Sequence, residues 1–234
     1  MTDEKQRYYS DKKVVREYDR RRFVRGGGRY VAEVEMATVR ELLLRLDLKP
    51  GAVALDCPTG TGRFLPLLRD LQLRTIAVDL SSAMLEFAAR VPEVRCLQAA
   101  ADALPMEAAS VNVWLMSRFA FHFADLRSFF REAARVVVPG GSFVFDVYQW
   151  TPRQWIPGSQ NFIGGRVHTH SHALIARWLE EVGFRINDQR PTFFLAPYLY
   201  SFMPAFLARW LDRASDRIAP GWKTKTYFVA RKAS

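Results

Sequence analysis

Residues 54–64 have the sequence ALDCPTGTGRF, in which the end of an apolar strand passes through a turn of small residues into a helix. Gly60 and Gly62 let the backbone approach a ligand closely, because glycine has no side chain to hold the ligand away. A helix that begins after Gly62 presents unpaired N–H groups to a polar or negative group. The segment therefore predicts a nucleotide-binding loop between a strand and a helix.

Two common nucleotide-binding loops do not fit this segment. A phosphate-binding P-loop ends in Gly-Lys-Ser/Thr, whereas this chain continues as Gly62-Arg63-Phe64. A dinucleotide fingerprint that begins at Gly60 needs glycine or alanine at position 65, which is Leu65. The loop is therefore of another type.

Short apolar runs alternate with segments of helical spacing along the middle of the chain. Ser81 or Ser82 and Asp125 occupy N-cap positions, and Pro139-Gly140-Gly141 provides a stop after a helix. This alternation is typical of a parallel, doubly wound α/β sheet. The predicted strands are 53–55, 75–78, 94–97, 111–116 and 142–148, and the predicted helices are 62–71, 82–90 and 125–136.

The flanking segments extend the same pattern. A helix is predicted at 30–46, after a charged segment that ends at Gly26-Gly27-Gly28, which we interpret as a hinge or turn. Behind the sheet, a helix is predicted at 171–182, capped by Ser171 and closed by Gly183. Two more strands are predicted at 184–188 and 226–231, on either side of an aromatic insertion. We expect one domain over residues 1–234.

The charge of the chain is concentrated at its ends. The 34 lysines and arginines exceed the 24 acidic residues by ten, and the middle segment, 51–184, is neutral with 12 of each. The excess in 1–50 and 185–234 predicts contact with something acidic, namely nucleic acid, an anionic membrane surface or an anionic substrate, unless it only keeps the protein soluble.

Composition excludes several classes of protein. With 49% apolar residues and no repeat, the chain is neither disordered nor a solenoid. Two cysteines and the absence of an apolar leader favour a reducing cytoplasm. The uncharged stretch 191–208 contains three prolines, so we interpret it as a pocket wall or an interfacial patch and expect no transmembrane segment.

The glycine loop resembles the first motif of the class I S-adenosylmethionine-dependent methyltransferases, Asp/Glu-x-Gly-x-Gly-x-Gly, with Asp56, Pro58, Gly60 and Gly62 at the key positions. Three further segments, 76–85, 100–105 and 134–141, resemble later motifs of that family in order. The nearest branch is the small-molecule and lipid-directed one that includes the ubiquinone and menaquinone C-methyltransferases. Pro58 departs from the family pattern, because it replaces the first glycine.

The resemblance implies a Rossmann-like, doubly wound sheet of seven strands, mostly parallel, with the last strand antiparallel. It further implies an N-terminal helical lid (1–48), a catalytic sheet (50–190 and 222–234) and a substrate cap inserted between strands 6 and 7 (191–221).

The implied cofactor is S-adenosyl-L-methionine, which leaves as S-adenosyl-L-homocysteine. Asp79 would accept hydrogen bonds from both ribose hydroxyls, or else only cap the following helix, and Asp56 would orient the loop or meet the amino group of the cofactor. Asp102 would accept from the adenine amino group. The full expected set is Asp56, Cys57, Pro58, Gly60, Gly62, Asp79, Leu80, Met84 (on the adenine face, or simply in the core), Asp102, Ala103 (through its N–H), Ser117 (beside the methionine moiety), and Tyr18 and Arg22 from the lid.

The segment after the fourth strand would lie beside the reacting methyl group. His122 is the candidate general base, because imidazole titrates near neutral pH, or else a packed helix-start histidine. Arg118 would bind an acidic acceptor or pair with Asp146. His168 and His170 would face the acceptor; a metal site in this histidine-rich stretch is disfavoured because no carboxylate or cysteine alternates with them. Tyr18 and Arg22 have an alternative role on an ordinary solvated basic helix.

The aromatic insertion predicts a hydrophobic acceptor, with Tyr198 and Phe202 in contact with it. We favour transfer to an O, C or N atom of a small-molecule or lipid-like substrate, with the basic ends in peripheral contact with an anionic membrane. A tRNA or other RNA base is the first alternative, weakened because 191–208 contains no cation. A non-catalytic cofactor-binding or interaction protein is the second, and the cap could also merely complete the core.

Overall fold

The predicted alternation forms a single seven-stranded sheet in the computed structural model, which describes residues 15, 26–155, 166–219 and 221–234. The strands follow the order β3-β2-β1-β4-β5-β7-β6, and β7 runs antiparallel to both of its neighbours while β1 to β5 are parallel. Val53, Ile76 and Val113 lie in this one sheet, so the predicted topology is confirmed. The strands are β1 (Val53–Asp56), β2 (Arg74–Asp79), β3 (Val94–Gln98), β4 (Val111–Met116), β5 (Val137–Tyr148), β6 (Phe184–Thr192) and β7 (Lys225–Lys232).

Helices cover both faces of the sheet. Val39 and Leu42 from the first helix pack with Val113 on one face, whereas Phe130 and Leu179 pack with Phe143 on the other. Within the described residues, no helix combines the length and apolarity needed to cross a bilayer. The helices are α1 (Gly26–Leu44), α2 (Leu65–Asp70), α3 (Ser82–Ala88), α4 (Arg127–Val136), α5 (His172–Glu180), α6 (Pro197–Tyr200) and α7 (Ala205–Ile218), with 3₁₀ turns at Ala120–His122 and Pro152–Trp155.

The helix caps follow the sequence closely. The hydroxyl of Ser81 accepts a hydrogen bond from the Met84 amide, and that of Ser171 accepts one from the Leu174 amide. Asp125 lies one residue before the cap position of α4, and its carboxylate accepts a hydrogen bond from the Arg127 amide at 2.9 Å. Ser81 and Ser171 therefore cap their helices as predicted, whereas Asp125 is not the cap residue of α4 and binds the Arg127 amide from one position earlier.

Strand β5 begins earlier than predicted. Helix α4 ends at Val136, but the chain enters the sheet at once, and Pro139-Gly140-Gly141 continues β5 beside a register shift opposite β4. A Cβ on Gly141 would lie 2.9 Å from the Asn112 carbonyl oxygen, so only glycine permits this close pairing.

The glycines at 26–28, interpreted from the sequence as a hinge or turn, instead form the start of helix α1. The amide of Gly27 donates to the carbonyl of Met203 at 2.8 Å, and a Cβ on Gly27 would lie 1.8 Å from the carbonyl oxygen of Tyr200. Glycine is therefore required because the backbone of α1 touches the insertion between β6 and β7.

A buried carboxylate fixes this contact. Asp212 of α7 accepts hydrogen bonds from the hydroxyls of Tyr30 on α1, at 2.5 Å, and of Tyr200 on α6. It also accepts the Phe194 amide at 2.8 Å. Burial, together with the neighbouring Asp212 carboxylate, raises the pKa of both tyrosines well above their ordinary range. The insertion and α1 are thus joined by a satisfied polar network.

Replacement of Gly27 by alanine is expected to lower the free energy of unfolding by about 1–3 kcal/mol, because the new methyl group overlaps the backbone of Tyr200. Urea unfolding measures the change. Gly221→Ala is the matched control, since a Cβ at Gly221 meets no heavy atom within 4 Å. Equal stability of the two variants would contradict the close contact.

Candidate functional site

The loop between β1 and α2 lies at the carboxyl end of the parallel strands. The hydroxyl of Thr59 donates to the buried carboxylate of Asp56 at 2.7 Å, and the Thr59 amide donates to the carbonyl of Val78 in β2 at 2.8 Å. The Cys57–Pro58 peptide bond is cis, and the Cys57 amide pairs with the Leu115 carbonyl of β4. The loop is therefore held by three neighbouring strands.

The two glycines of the loop serve different purposes. Gly60 has a φ of 57°, and a Cβ there would meet nothing within 4 Å, so the backbone faces open space. Gly62 has a φ of 83°, and a Cβ there would lie 3.0 Å from Cα of Ala88 at the end of α3. Gly62 thus permits close packing beneath the loop, whereas Gly60 leaves room above it.

Asp79, at the end of β2, connects the loop to the next helix. Its Oδ2 accepts the Gly60 amide at 2.8 Å and its Oδ1 accepts the Ser81 amide at 2.9 Å. A carboxylate has about four acceptor sites, so two backbone bonds leave capacity for hydroxyl donors. Burial raises the pKa of this group, and the backbone hydrogen bonds oppose that rise. The loop-supporting role is therefore present, and the ribose contact stays a prediction.

The pKa of the Asp56 carboxyl lies well above its ordinary value. Burial, with the nearby charge of Asp79, raises its pKa to about 7, although the hydrogen bond from Thr59 acts in the opposite direction. A carboxyl whose folded-state pKa is raised contributes stability that is complete below its ordinary value, near 4, and that is lost as the pH rises to about 7.

The variant Asp56→Asn is therefore expected to lose less stability than the wild type as the pH rises. The difference between the two slopes should reach up to about 1.4 kcal/mol per pH unit. Asparagine can still accept the Thr59 hydroxyl but carries no titrating proton. Urea unfolding at pH values from 5 to about 8 tests this. Asp70→Asn, at an exposed ion pair with Arg69, is the control and should track the wild type. Parallel curves for wild type and Asp56→Asn would refute the expectation.

The remaining predicted cofactor residues fall into three groups. Met84 is buried against Ala83 and Val15, which agrees with its alternative assignment to the core, and Leu80 is exposed. Asp102 and Ala103 are exposed, and the Ala103 amide, expected to meet adenine, donates to the Ala100 carbonyl at 3.2 Å. Tyr18 and Arg22 lie outside the described residues.

Ser117 and Arg118 follow β4 and meet the buried Asp146 of β5. The carboxylate of Asp146 accepts the Ser117 hydroxyl at 3.1 Å and the Arg118 amide at 2.6 Å. The guanidinium of Arg118 instead donates to Glu35 of α1 at 3.1 Å. Arg118 has a φ of 59°, a left-handed conformation that these contacts hold in place. Asp146 is thus bound by the backbone of Arg118, whereas Glu35 binds its side chain.

These residues belong to a buried ion cluster of Glu35, Arg63, Arg118, Asp146 and Lys225. The ammonium of Lys225 lies 2.7 Å from Oε1 of Glu35 and 3.1 Å from Oδ2 of Asp146, and Arg63 lies 2.6 Å from Oε2 of Glu35. Burial alone would raise the pKa of Glu35, but Lys225, Arg118 and Arg63 hold it well below its usual range. The two carboxylates likewise raise the pKa of Lys225 against the effect of burial.

Sequence reasoning missed Glu35, Arg63 and Lys225. The signals were present: Glu35 falls within the apolar stripe of α1 that includes Val31, and Lys225 lies in a strand whose neighbours are buried. A charge at an apolar position indicates a buried partner.

The predicted histidines lie in different surroundings. His122 ends a 3₁₀ turn, and its ring centroid is 4.2 Å from that of Phe121. The His168 amide donates to the Phe121 carbonyl, which brings His168 near this turn. His170 is buried beside Trp178 at 5.9 Å, and burial lowers its pKa, so it belongs to the core rather than to an open pocket. No group of three or more potential metal ligands is found among the described residues.

Tyr198 and Phe202, the two acceptor contacts expected in the insertion, differ in their burial. Tyr198 is partly buried, with its hydroxyl 3.4 Å from that of Thr151 and the guanidinium of Arg153 4.4 Å from its ring centroid. Phe202 is 85% exposed and therefore faces solvent instead of lining a pocket.

Residues 55–145 match the family model described as a methyltransferase domain. Over this segment the chain is similar to methyltransferase domains. The chain is 30% identical over 114 residues to the ubiquinone/menaquinone biosynthesis C-methyltransferase UbiE of Caulobacter vibrioides, an alignment that covers 43% of this chain and 45% of that protein. The chain thus spans about half the length of the curated relatives that it matches.

Solved structures share the fold of this chain. A chain from the complex that contains the Haloferax volcanii Trm112 methyltransferase activator matches with a TM-score of 0.69 and 19% identity over 100% of both chains. The geranyl diphosphate C-methyltransferase of Streptomyces coelicolor A3(2), solved with Mg²⁺, geranyl diphosphate and S-adenosyl-L-homocysteine, matches with a TM-score of 0.62 and 19% identity over 84% of this chain and 79% of that one. At this identity the likeness concerns the fold.

Proposed function

We propose that the chain is an enzyme that transfers a methyl group from S-adenosyl-L-methionine to a hydrophobic small-molecule or lipid-like acceptor. The observation that carries this proposal is the bond from the Gly60 amide to Asp79, which couples the glycine loop of β1 to the acidic end of β2. The strand order reverses between β1 and β4, and ligands of open α/β sheets bind at the carboxyl ends of the strands beside such a switch point.

The residues around the loop suit an adenosyl cofactor. The spare acceptor capacity of Asp79 fits two ribose hydroxyls, the open space above Gly60 admits a ligand against the backbone, and exposed Asp102 fits an amino group. When bound, the cofactor supplies a methyl group on a positively charged sulfur.

The chain would then orient the acceptor for in-line attack. Ser117 and Arg118, just after β4, are held in place by hydrogen bonds to Asp146 of β5, and this favours precise placement of the reacting groups. His122, the last residue of the 3₁₀ turn after β4, is the proposed general base where the methyl acceptor must lose a proton. Tyr198 and His168 are the proposed acceptor contacts.

The apolar acceptor is supported by the aromatic insertion and by the relatives. The name of UbiE refers to quinone biosynthesis, and the Streptomyces enzyme was solved with geranyl diphosphate. Both are consistent with an acceptor that is largely hydrocarbon.

The test has two stages. Calorimetry with S-adenosyl-L-homocysteine should show binding, and failure to bind at millimolar concentration would favour a non-catalytic interaction protein. The wild-type chain is then incubated with methyl-labelled cofactor and separate lipid, small-molecule and RNA pools. We expect label in the organic extract, and label that is lost on ribonuclease treatment would instead identify an RNA base as the acceptor.

A further inference from the structure

The outward face of α7 carries an unusual surface. We define the aromatic-arginine stripe as Phe202, Phe206, Trp210, Arg213 and Arg217. The three aromatic residues are 85%, 75% and 63% exposed, and both arginines are exposed. Large exposed aromatics on adjoining turns form an apolar patch that a soluble protein seldom leaves without a use.

Helix geometry gives the stripe its direction. Phe206, Trp210, Arg213 and Arg217 recur every three or four residues, which places them along one face of α7. The opposite face contains the buried residues Ala208, Asp212 and Ser215. Because Asp212 is bound to α1 through Tyr30, the stripe is presented in a fixed orientation.

We propose that the aromatic-arginine stripe docks on an anionic lipid surface. Aromatic rings favour the boundary between headgroups and acyl chains, while arginines beside them reach the phosphates. The surrounding segment supports this partner, since residues 185–234 contain nine basic and three acidic residues. Among these, Asp212 and Lys225 are buried, Asp216 pairs with Lys223, and Arg190 and Arg209 pair with Glu41 and Glu33 of α1. Arg213 and Arg217 are exposed beside the aromatics, so they carry the positive charge of the stripe.

The neighbours of the stripe favour lipid over RNA or a second copy of the chain. Leu207 and Ile218 flank it and are exposed, and aliphatic side chains offer no ring for a base to stack on. Pairing of two copies through the stripe would bring four arginines together with few carboxylates, which like-charge repulsion disfavours.

Docking does not require the proposed methyl transfer, but it deepens that function, because an enzyme held at a membrane reaches an acceptor dissolved in it.

The experiment measures sedimentation of the full chain with vesicles. One set contains phosphatidylcholine alone and the other three parts phosphatidylcholine to one part phosphatidylglycerol. We expect binding to the anionic set only, with weakening as salt rises from about 0.1 M to about 0.5 M. Arg213→Glu/Arg217→Glu should lower partitioning at least about tenfold. Phe206→Ser/Trp210→Ser should lower it to a similar extent, because the apolar contact is lost.

Matched controls separate the stripe from general effects. Arg185→Glu/Arg231→Glu makes the same change in net charge at two exposed residues that face each other on β6 and β7, and Leu44→Ser removes an exposed apolar residue of α1. Both should bind vesicles more tightly than the stripe variants do.

Absence of vesicle binding by the wild type, equal binding to neutral vesicles, or equal loss in the controls would overturn the proposal. If gel filtration shows a wild-type dimer that dissociates in the stripe variants, the occupant of the stripe is a second copy of the chain. If titration with RNA shows binding that the stripe variants lose, the occupant is RNA. Either result without vesicle binding also overturns the proposal of a lipid surface. Calorimetry with S-adenosyl-L-homocysteine on the stripe variants tests the cofactor site separately, and we expect unchanged affinity.

Discussion

Replacement of Lys225 by methionine is expected to lower the free energy of unfolding by about 3–5 kcal/mol, the cost of leaving buried charges without their partner. The ammonium lies within 3.1 Å of both Glu35 and Asp146, and neither carboxylate is exposed to solvent. Methionine fills most of the volume of lysine, so the loss is electrostatic. Urea unfolding at neutral pH measures it.

The pH dependence distinguishes this cause from poor packing. Lys225 helps to hold the pKa of Glu35 well below its ordinary value of about 4.5, so the stability that Glu35 contributes is complete above about 4.5 and is lost at more acid pH. Without Lys225 the carboxylate takes up a proton more readily. The difference between wild type and variant should therefore shrink as the pH falls below about 4.5.

Two further variants complete this test. The double variant Glu35→Gln/Lys225→Met should lose less free energy of unfolding than the two single variants lose in sum, because the two residues are in contact. Lys49→Met, which breaks an exposed pair with Asp47, should change little. A loss in Lys225→Met that stays constant with pH would contradict the electrostatic explanation.

Replacement of Asp79 by alanine is expected to weaken binding of S-adenosyl-L-homocysteine by about 2–3 kcal/mol, or roughly 30- to 150-fold. The ribose hydroxyls would lose the carboxylate as their acceptor, and the Gly60 amide would lose the acceptor that fixes the loop. Calorimetry measures the affinity, with circular dichroism to verify folding. Asp70→Ala, at an exposed carboxylate at the end of α2, should bind like the wild type.

The two contributions of Asp79 are separated by the 2′-deoxy analogue of the ligand. The wild type should prefer the natural ribose, whereas Asp79→Ala should discriminate much less, because the hydroxyl no longer has a charged acceptor. Equal discrimination by both proteins would show that Asp79 only supports the loop.

Much of the fold follows from local patterns. The strand that ends at Asp56 and the caps at Ser81 and Ser171 were predictable, because apolar runs and capping residues act over a few positions. The start of β5 and the role of Gly27 were not. Gly27 depends on Tyr200, far away in the chain, and no local signal reports a backbone contact at that distance.

The candidate site shows the same division. The glycine loop and Asp79 could be identified from their order in the sequence, and the structure places them together. The pairing within the buried ion cluster could not be predicted, although charges at apolar positions signalled burial, because Glu35, Asp146 and Lys225 come from three distant elements and meet only after the sheet has formed. His170 and Phe202 were misplaced since aromatic character alone does not decide between core, pocket and surface.

The network around Asp212 also constrains how this protein can be re-engineered. A graft that replaces only residues 193–218 with the insertion of a related enzyme would remove the acceptor for Tyr30 and place new side chains against Gly27. Residues 26–44 and 193–218 therefore have to be exchanged together, and Glu35 has to be retained because it binds Lys225 of β7.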